Sequence, residues 1–261
     1  METQPNPEDA GRARRLRFDL LLPVLLRPRA ALREIAAHAS RSWITPLLVI
    51  TLAALLLVVV GGPLRRAAAE LEAMNLPPEF QYYSPEQQAQ IHQARAATSS
   101  PTFIYVFPAL TAVLKVLVGW LVVGATLHLF LTLLGSRGTM ASMMNLVAWA
   151  GLPFAVRDVV RSAYTLFAHR LIQAPGLSGL LPSGAEGGAL FAAGILGLVD
   201  LYLIWHIVLL VVAARGEVDP GSRRAWGSVL ASQALALLLQ AAPAYAVARL
   251  GSLTVVRPFL F

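Results

Sequence analysis

The chain has 261 residues, of which 57% are hydrophobic and only 13% charged, and its mean hydropathy is +0.64. Soluble domains carry about 25% charged residues, so the composition excludes an ordinary soluble protein; the continuous apolar runs exclude the short alternating strands of a membrane barrel. The net charge is +7, and Lys115 is the only lysine. Since the arginines flank apolar runs, they predict membrane topology and lipid contact, and no nucleic-acid partner is expected. The absence of cysteine excludes disulfides and thiolate metal sites.

Residues 1–26 are predicted to form a cytoplasmic basic tail. Its first eleven residues are polar, and four arginines follow before the apolar run at 20–26. That run is short, contains Pro23 and lacks a small-residue cleavage site, so we do not expect a cleaved signal peptide. Pro28 is well placed as the first residue of a helix. Arg29 and Arg33 share one face of that helix, which either lies on an anionic leaflet or packs on the bundle.

Five transmembrane helices are predicted, approximately at residues 44–60, 103–134, 143–167, 190–214 and 226–247. The polar segment at 64–100 is predicted to be a small helical cap outside the membrane. Within it, Ser84 and Gln87 are spaced as a capping box at the start of a helix that runs toward Ala97. Residues 251–261 are too short for another span and are interpreted as a C-terminal tail.

The distribution of arginine predicts the orientation. With the N-terminus inside, twelve arginines gather on the cytoplasmic face and eight on the other, two of them near the end of the third span. The excess predicts a multi-pass inner-membrane protein whose N-terminus is cytoplasmic and whose C-terminus is outside.

Three segments together resemble the Yip family, the five-span Ypt/Rab-interacting-protein domain, in its bacterial form. The segments are Leu26-Arg-Pro28 with Trp43-Ile-Thr-Pro46; Leu134-Gly-Ser-Arg-Gly-Thr139 with Leu146-Val-Ala-Trp-Ala-Gly-Leu-Pro153; and Val199-Asp-Leu-Tyr-Leu-Ile-Trp205 with Arg224-Ala225. The resemblance implies a membrane domain over residues 27–250. Eukaryotic members are associated with small GTPases and vesicle membranes, and the family brings no catalytic residues.

Lys115 and Asp200 are the sharpest candidates for intramembrane chemistry, because a charge at membrane depth is costly. Spans two and four run in the same direction under the predicted topology. At ~1.5 Å per residue the two side chains lie ~18 Å and ~15 Å into their spans. We therefore expect a buried ion pair, which either fixes helix registry or contributes to an ion or proton path.

His206 lies one turn after Tyr202, so these two share a helix face. An interhelical hydrogen bond is the favoured interpretation, since a metal site would need more ligands than His206 and His128 together supply. Arg157, Asp158 and Arg161 lie near the outer interface, where they either bind a phosphate or lipid headgroup or leave Asp158 paired with Arg161, three residues further along the helix. Arg29 and Arg33 are the other lipid-contact candidates.

No catalytic signature is present. The sequence lacks an HExxH motif, a GxSxG elbow and a P-loop, so no catalytic residue, cofactor or metal is assigned. The sequence predicts a non-enzymatic scaffold or accessory subunit that binds other membrane proteins, itself or lipid. The alternative is a component of a transport system that uses Lys115, Asp200 and His206.

Overall fold

The computed structural model of the chain describes residues 16–37, 42–76, 78–181, 188–217 and 222–254. This part of the chain is built from helices and contains no strand. The ten α-helices are α1 (Leu21–Leu26), α2 (Pro28–Ala37), α3 (Ile44–Met74), α4 (Pro85–Thr98), α5 (Phe107–Leu133), α6 (Met140–Ala150), α7 (Leu152–Ala168), α8 (Gly188–Leu198), α9 (Leu201–Glu217) and α10 (Ser222–Thr254). The predicted all-α polytopic helix bundle is confirmed.

Four helical stretches are long and apolar enough to cross a membrane: Ile44–Met74, Thr102–Leu133, Met140–Ala168 and Arg223–Ala242. A fifth span arises if α8 and α9 are counted together, although these two helices are bent by 65° where they meet. Residues 190–214 were predicted from the sequence to form one continuous helix. The structure instead divides this stretch at Val199 and Asp200.

Helix ends follow the local chemistry of their sequences. Gly135 has φ +93°, and the N–H groups of Gly135 and Ser136 donate to Thr132 and Leu131 in a Schellman arrangement that ends α5. Gly135 is the residue that directly follows the span predicted at 103–134. Only a residue that tolerates positive φ fits this position without strain.

The chain divides into two compact units that interleave along the sequence. The first unit comprises Met1–Ile50, Leu117–Phe154 and Ala174–Phe261, and the second comprises Thr51–Val116 and Ala155–Gln173. Residues 1–15 of the predicted basic tail and 255–261 of the predicted C-terminal tail lie outside the described residues. The remainder of the predicted basic tail forms a 3₁₀ turn (Phe18–Leu20) and α1.

The first unit is centred on α6, whose residues 143–150 are all buried. Helix α2 packs on α6 and α9, and α9 packs in turn on α6 and α10. Where α5 approaches α6, a Cβ on Gly124 would collide with the side chain of Met144, so glycine is what allows the close approach. The core therefore surrounds α6, and every polar group on this helix must find a partner inside the protein.

The second unit contains the predicted helical cap. Ser84 and Gln87 form the complete reciprocal capping box at the start of α4, which confirms that prediction. From the last turn of α4, Nη1 of Arg95 donates to the carbonyls of Glu72, Ala73 and Asn75 at 3.0–3.2 Å. Glu72 and Ala73 lie in the last turn of α3 and Asn75 directly follows it, so α4 closes the end of this helix.

Candidate functional site

A hydrogen-bonded set of residues lies around α6, and we call it the buried junction: Ser42, Asn145, Trp149, Ala150 and His206. Asn145 and Trp149 are four residues apart, so their side chains lie on one face of the helix. Trp149 Nε1 donates to the hydroxyl of Ser42 at 3.1 Å, and that hydroxyl lies 3.1 Å from Asn145 Oδ1. All three residues are at least 96% buried. A single serine hydroxyl thus links two side chains of α6 to the start of α3.

His206 completes the buried junction from α9. Its Nδ1 lies 2.7 Å from the carbonyl oxygen of Ala150, and its ring lies 4.7 Å from that of Phe154. A carbonyl can only accept, so Nδ1 carries the proton. In a continuous helix the N–H of Phe154 would donate to Ala150, but here it donates to Gly151. The break between α6 and α7 leaves the carbonyl of Ala150 without its helical partner, and His206 donates to it instead.

The break itself follows from the sequence Gly151-Leu-Pro153. Pro153 has no N–H, which removes one bond of the helical ladder. A Cβ on Gly151 would lie 3.0 Å from the side chain of Ile50 and 3.2 Å from the Ala148 carbonyl. Glycine at position 151 therefore allows α3 to approach closely, and Pro153 interrupts the helical hydrogen bonds next to it. Tyr202, one turn before His206, is half-buried.

Asp200 has a local structural role that the sequence interpretation missed. Its Oδ1 accepts the N–H of Leu203 at 2.9 Å, which is the geometry of a helix N-cap. Because Asp200 lies at the start of α9, its carboxylate also faces the positive end of the helix dipole. The available signal was the preference of aspartate for N-cap positions, but the uninterrupted apolar run around it favoured one long helix.

Lys115 and His128 lie on α5. Lys115 is exposed and His128 is half-buried. Lys115 and Asp200 belong to different units, and their predicted ion pair stays a prediction. Among the described residues, no three His, Asp or Glu side chains come together in a group that could hold a metal ion.

The arginine candidates occupy two different environments. In α7, Arg157 Nε lies 3.0 Å from Oδ1 of the buried Asp158, so this carboxylate pairs with its neighbour in sequence. Arg161, one turn further, is half-buried.

In α2, Arg29 and Arg33 are exposed. The opposite face of α2 is buried against the bundle through Ala31, Leu32 and Ile35. Two environments were predicted for α2, the surface of a leaflet or the side of the bundle. In the structure α2 packs on the bundle and its two arginines are exposed.

The segment before α2 is held by Arg17. Its guanidinium lies 2.8 Å from Asp19 and 2.7 Å from Glu34. The hydrogen bond that it donates to Asp19, followed by the one to Glu34, raises the pKa of Arg17. The backbone N–H of Arg17 donates to Thr45 Oγ1 at 2.9 Å. Since Thr45 lies in the first turn of α3, the amphipathic segment is fixed beside the buried junction.

One comparison with known proteins agrees with this architecture. No curated protein and no solved structure matches the chain. A family model, the Yip1 domain, matches residues 22–242, a range that includes α2, the buried junction and the bent pair α8 and α9. The match covers most of the chain, and the chain therefore belongs to the Yip1 domain family of membrane proteins.

Proposed function

We propose that this protein is a non-enzymatic scaffold or accessory subunit that binds other membrane proteins or lipid. The observation that carries the proposal is the contrast between its polar core and its apolar exterior. Ser42 links two side chains of α6, His206 binds a backbone carbonyl, and Asp200 caps α9. Ser42 and His206 thus hold different helices together, as expected for interhelical hydrogen bonds in lipid, and Asp200 stabilises the start of its own helix.

The exterior offers an extensive surface for partner helices. Only 6% of the most apolar window of Thr102–Leu133 is buried. Its exposed side chains include Phe107, Leu110, Leu114 and Leu121. An apolar face of this kind is suited to lipid or to another transmembrane helix, where van der Waals packing drives association.

We further propose the bacterial inner membrane as the location, with the N-terminus cytoplasmic and the C-terminus outside. The excess of arginine on one side of the spans supports this orientation. The exposed Arg29 and Arg33 on α2 would then face the anionic cytoplasmic leaflet, which attracts basic side chains.

Cross-linking mass spectrometry in native membranes tests the proposal. A photo-reactive residue at Leu114, on the exposed face of α5, should give a defined stoichiometric protein partner. The same probe at the fully buried Leu127 on the same helix is the matched control and should give none. Absence of any partner at Leu114, together with substrate flux in liposomes that fails on Asp200→Asn, would replace the scaffold with the transport alternative.

A further inference from the structure

Lys115 is the only charged residue of α5, and it lies on an exposed side of this helix. Phe107, Leu110 and Leu114 share that side and are each about half exposed. Thr111, one turn before Lys115, donates its hydroxyl to the Phe107 carbonyl at 2.8 Å, so it needs no further partner. We call these five residues the Lys115 face; all of them belong to the second unit.

Lys115 lies far from the membrane boundary. Tyr105 packs on the backbone of α3 at Gly62, where an added Cβ would collide with the tyrosine ring. Since the apolar run of α3 ends at Gly61-Gly62-Pro63, Tyr105 marks the level of that boundary. Lys115 follows Tyr105 by ten residues, which is ~15 Å along a helix, and the hydrocarbon core of a bilayer is ~30 Å thick. Lys115 therefore lies close to the middle of the bilayer.

The ammonium group of Lys115 has no partner among the described residues. The ion pairs found there all involve arginine, and no hydrogen bond engages Lys115. Long basic side chains reach the headgroups when they lie near the end of a span, whereas Lys115 lies well inside the stretch Thr102–Leu133. An unpaired charge at that depth is costly, so the Lys115 face calls for a partner that supplies the opposite charge.

We infer that the Lys115 face binds a transmembrane helix of another protein, and that this helix carries an aspartate or glutamate near the middle of the bilayer. The carboxylate accepts a hydrogen bond from the ammonium group and neutralises it, because charges in lipid persist when they are paired. Phe107, Leu110 and Leu114 pack against apolar side chains of the same helix. The ion pair thus selects the partner and fixes its depth, and the apolar side chains supply the contact area.

Charge complementarity favours a different protein over a second copy of this chain. A symmetric pair of α5 helices would bring two Lys115 ammonium groups toward each other, and like charges repel more strongly in lipid than in water. The sequence places only two carboxylates in the predicted spans, Asp158 and Asp200. Asp158 is buried and paired with Arg157, and Asp200 is half-buried and caps α9. A second copy therefore offers Lys115 no exposed carboxylate within its spans.

This inference rests on the proposed function and deepens it, because it names the chemistry by which a partner helix is recognised. The two proposals can fail separately. Cross-linking from Leu114 measures whether any protein covers α5, whereas a pair of model peptides measures whether Lys115 selects a carboxylate.

The test measures the association of the full chain with synthetic transmembrane peptides in liposomes. Two leucine–alanine peptides long enough to span the bilayer differ only at their centre, which is glutamate in one and glutamine in the other. Energy transfer from a dye on Gln93→Cys, in the exposed helix α4, reports binding, since the chain has no cysteine of its own. We expect the glutamate peptide to bind about tenfold more tightly than the glutamine peptide.

Two variants separate charge from contact area. Lys115→Met should bring the two affinities within about twofold of each other, because neither peptide then meets a charge. Leu110→Ala is the matched control on the same face: it removes apolar contact and no charge, so it should weaken both peptides and keep their ratio. A peptide with its glutamate moved to one turn from the end should lose the preference, because that carboxylate no longer lies at the depth of Lys115.

Lys115→Met also distinguishes a partner helix from a partner within the chain. If lipid surrounds the Lys115 face in the free protein, removing the charge should keep or raise the detergent midpoint of unfolding. A lower midpoint would reveal a partner within the chain and overturn the inference. A preference for the glutamate peptide that appears only in Asp200→Asn would overturn it too, because Asp200 would then hold Lys115 in the wild type. Equal binding of the two peptides by the wild type, or binding of neither, would have the same consequence.

Discussion

Replacing His206 by phenylalanine tests the buried junction most directly. The new ring keeps the apolar contact with Phe154, but it removes the only donor found within hydrogen-bonding distance of the Ala150 carbonyl in the described part of the chain. A buried acceptor without a donor costs about 1–3 kcal/mol. Measured interhelical hydrogen bonds in membranes average about 0.6 kcal/mol and reach about 1.7. We therefore expect His206→Phe to lower the free energy of unfolding by about 1–2 kcal/mol.

The measurement is reversible unfolding in mixed micelles, followed by helical circular dichroism as the denaturing detergent is increased. His206→Asn is the matched variant, because the amide nitrogen of asparagine can occupy the position of Nδ1 and donate to the same carbonyl. It should recover a large part of the loss. Ile204→Ala, on the exposed side of α9, controls for a general effect of substitution in this helix.

The reasoning fails if His206→Phe stays within about 0.5 kcal/mol of the wild type, the spread of ordinary surface substitutions. It also fails if His206→Asn is as unstable as His206→Phe, since the hydrogen bond would then not be the quantity lost. Under either outcome, the break between α6 and α7 must be stabilised by something other than His206.

Four further predictions follow from the same structure. Ser42→Ala removes the hydroxyl that links two buried side chains, and we expect a loss of about 1–3 kcal/mol in the same unfolding assay. Asp200→Ala should cost about 1 kcal/mol through the lost N-cap, whereas Asp200→Asn, a comparable cap, should cost little; equal losses would exclude the capping role. If Lys115 and Asp200 form an ion pair, each single substitution should reduce assembled protein in the membrane and exchanging the two residues should restore it; failure of the exchange argues against pairing. Because the chain has no cysteine, Ser136→Cys should react with a membrane-impermeant maleimide only from the cytoplasmic side and Gln93→Cys only from the opposite side, and the reverse pattern would invert the topology.

Several features of the fold could be predicted because they depend on short stretches of sequence. The capping box at Ser84 and the stop at Gly135 involve hydrogen bonds between residues no more than five apart. The apolar spans could be predicted because hydrophobic length is a property of each segment by itself. The helix start at Pro28 could be predicted because proline favours the first position of a helix, which is also a local property of the sequence.

The bend at Asp200 could not be predicted in the same way. Aspartate is a favoured N-cap, but the apolar residues on both sides of it also fit a continuous helix. What decides between the two is how the surrounding helices pack. The 3₁₀ turn at Gly176–Leu180 packs on α8, and the N–H of Leu177 donates to the carbonyl of Val199. Leu177 precedes Val199 by more than twenty residues, so this contact cannot be predicted from the periodicity of residues 190–214.

The sequence by itself therefore determined the membrane class, the approximate spans, the family resemblance and the residues whose polarity is unusual for their surroundings. Only the tertiary structure decided what those polar residues do: His206 binds a carbonyl exposed by a break in another helix, and Asp200 caps α9. The physical reason is that burial of apolar surface is a local, non-directional property of a segment. A hydrogen bond requires a particular partner atom at a particular distance and angle, and that partner comes from a distant part of the chain.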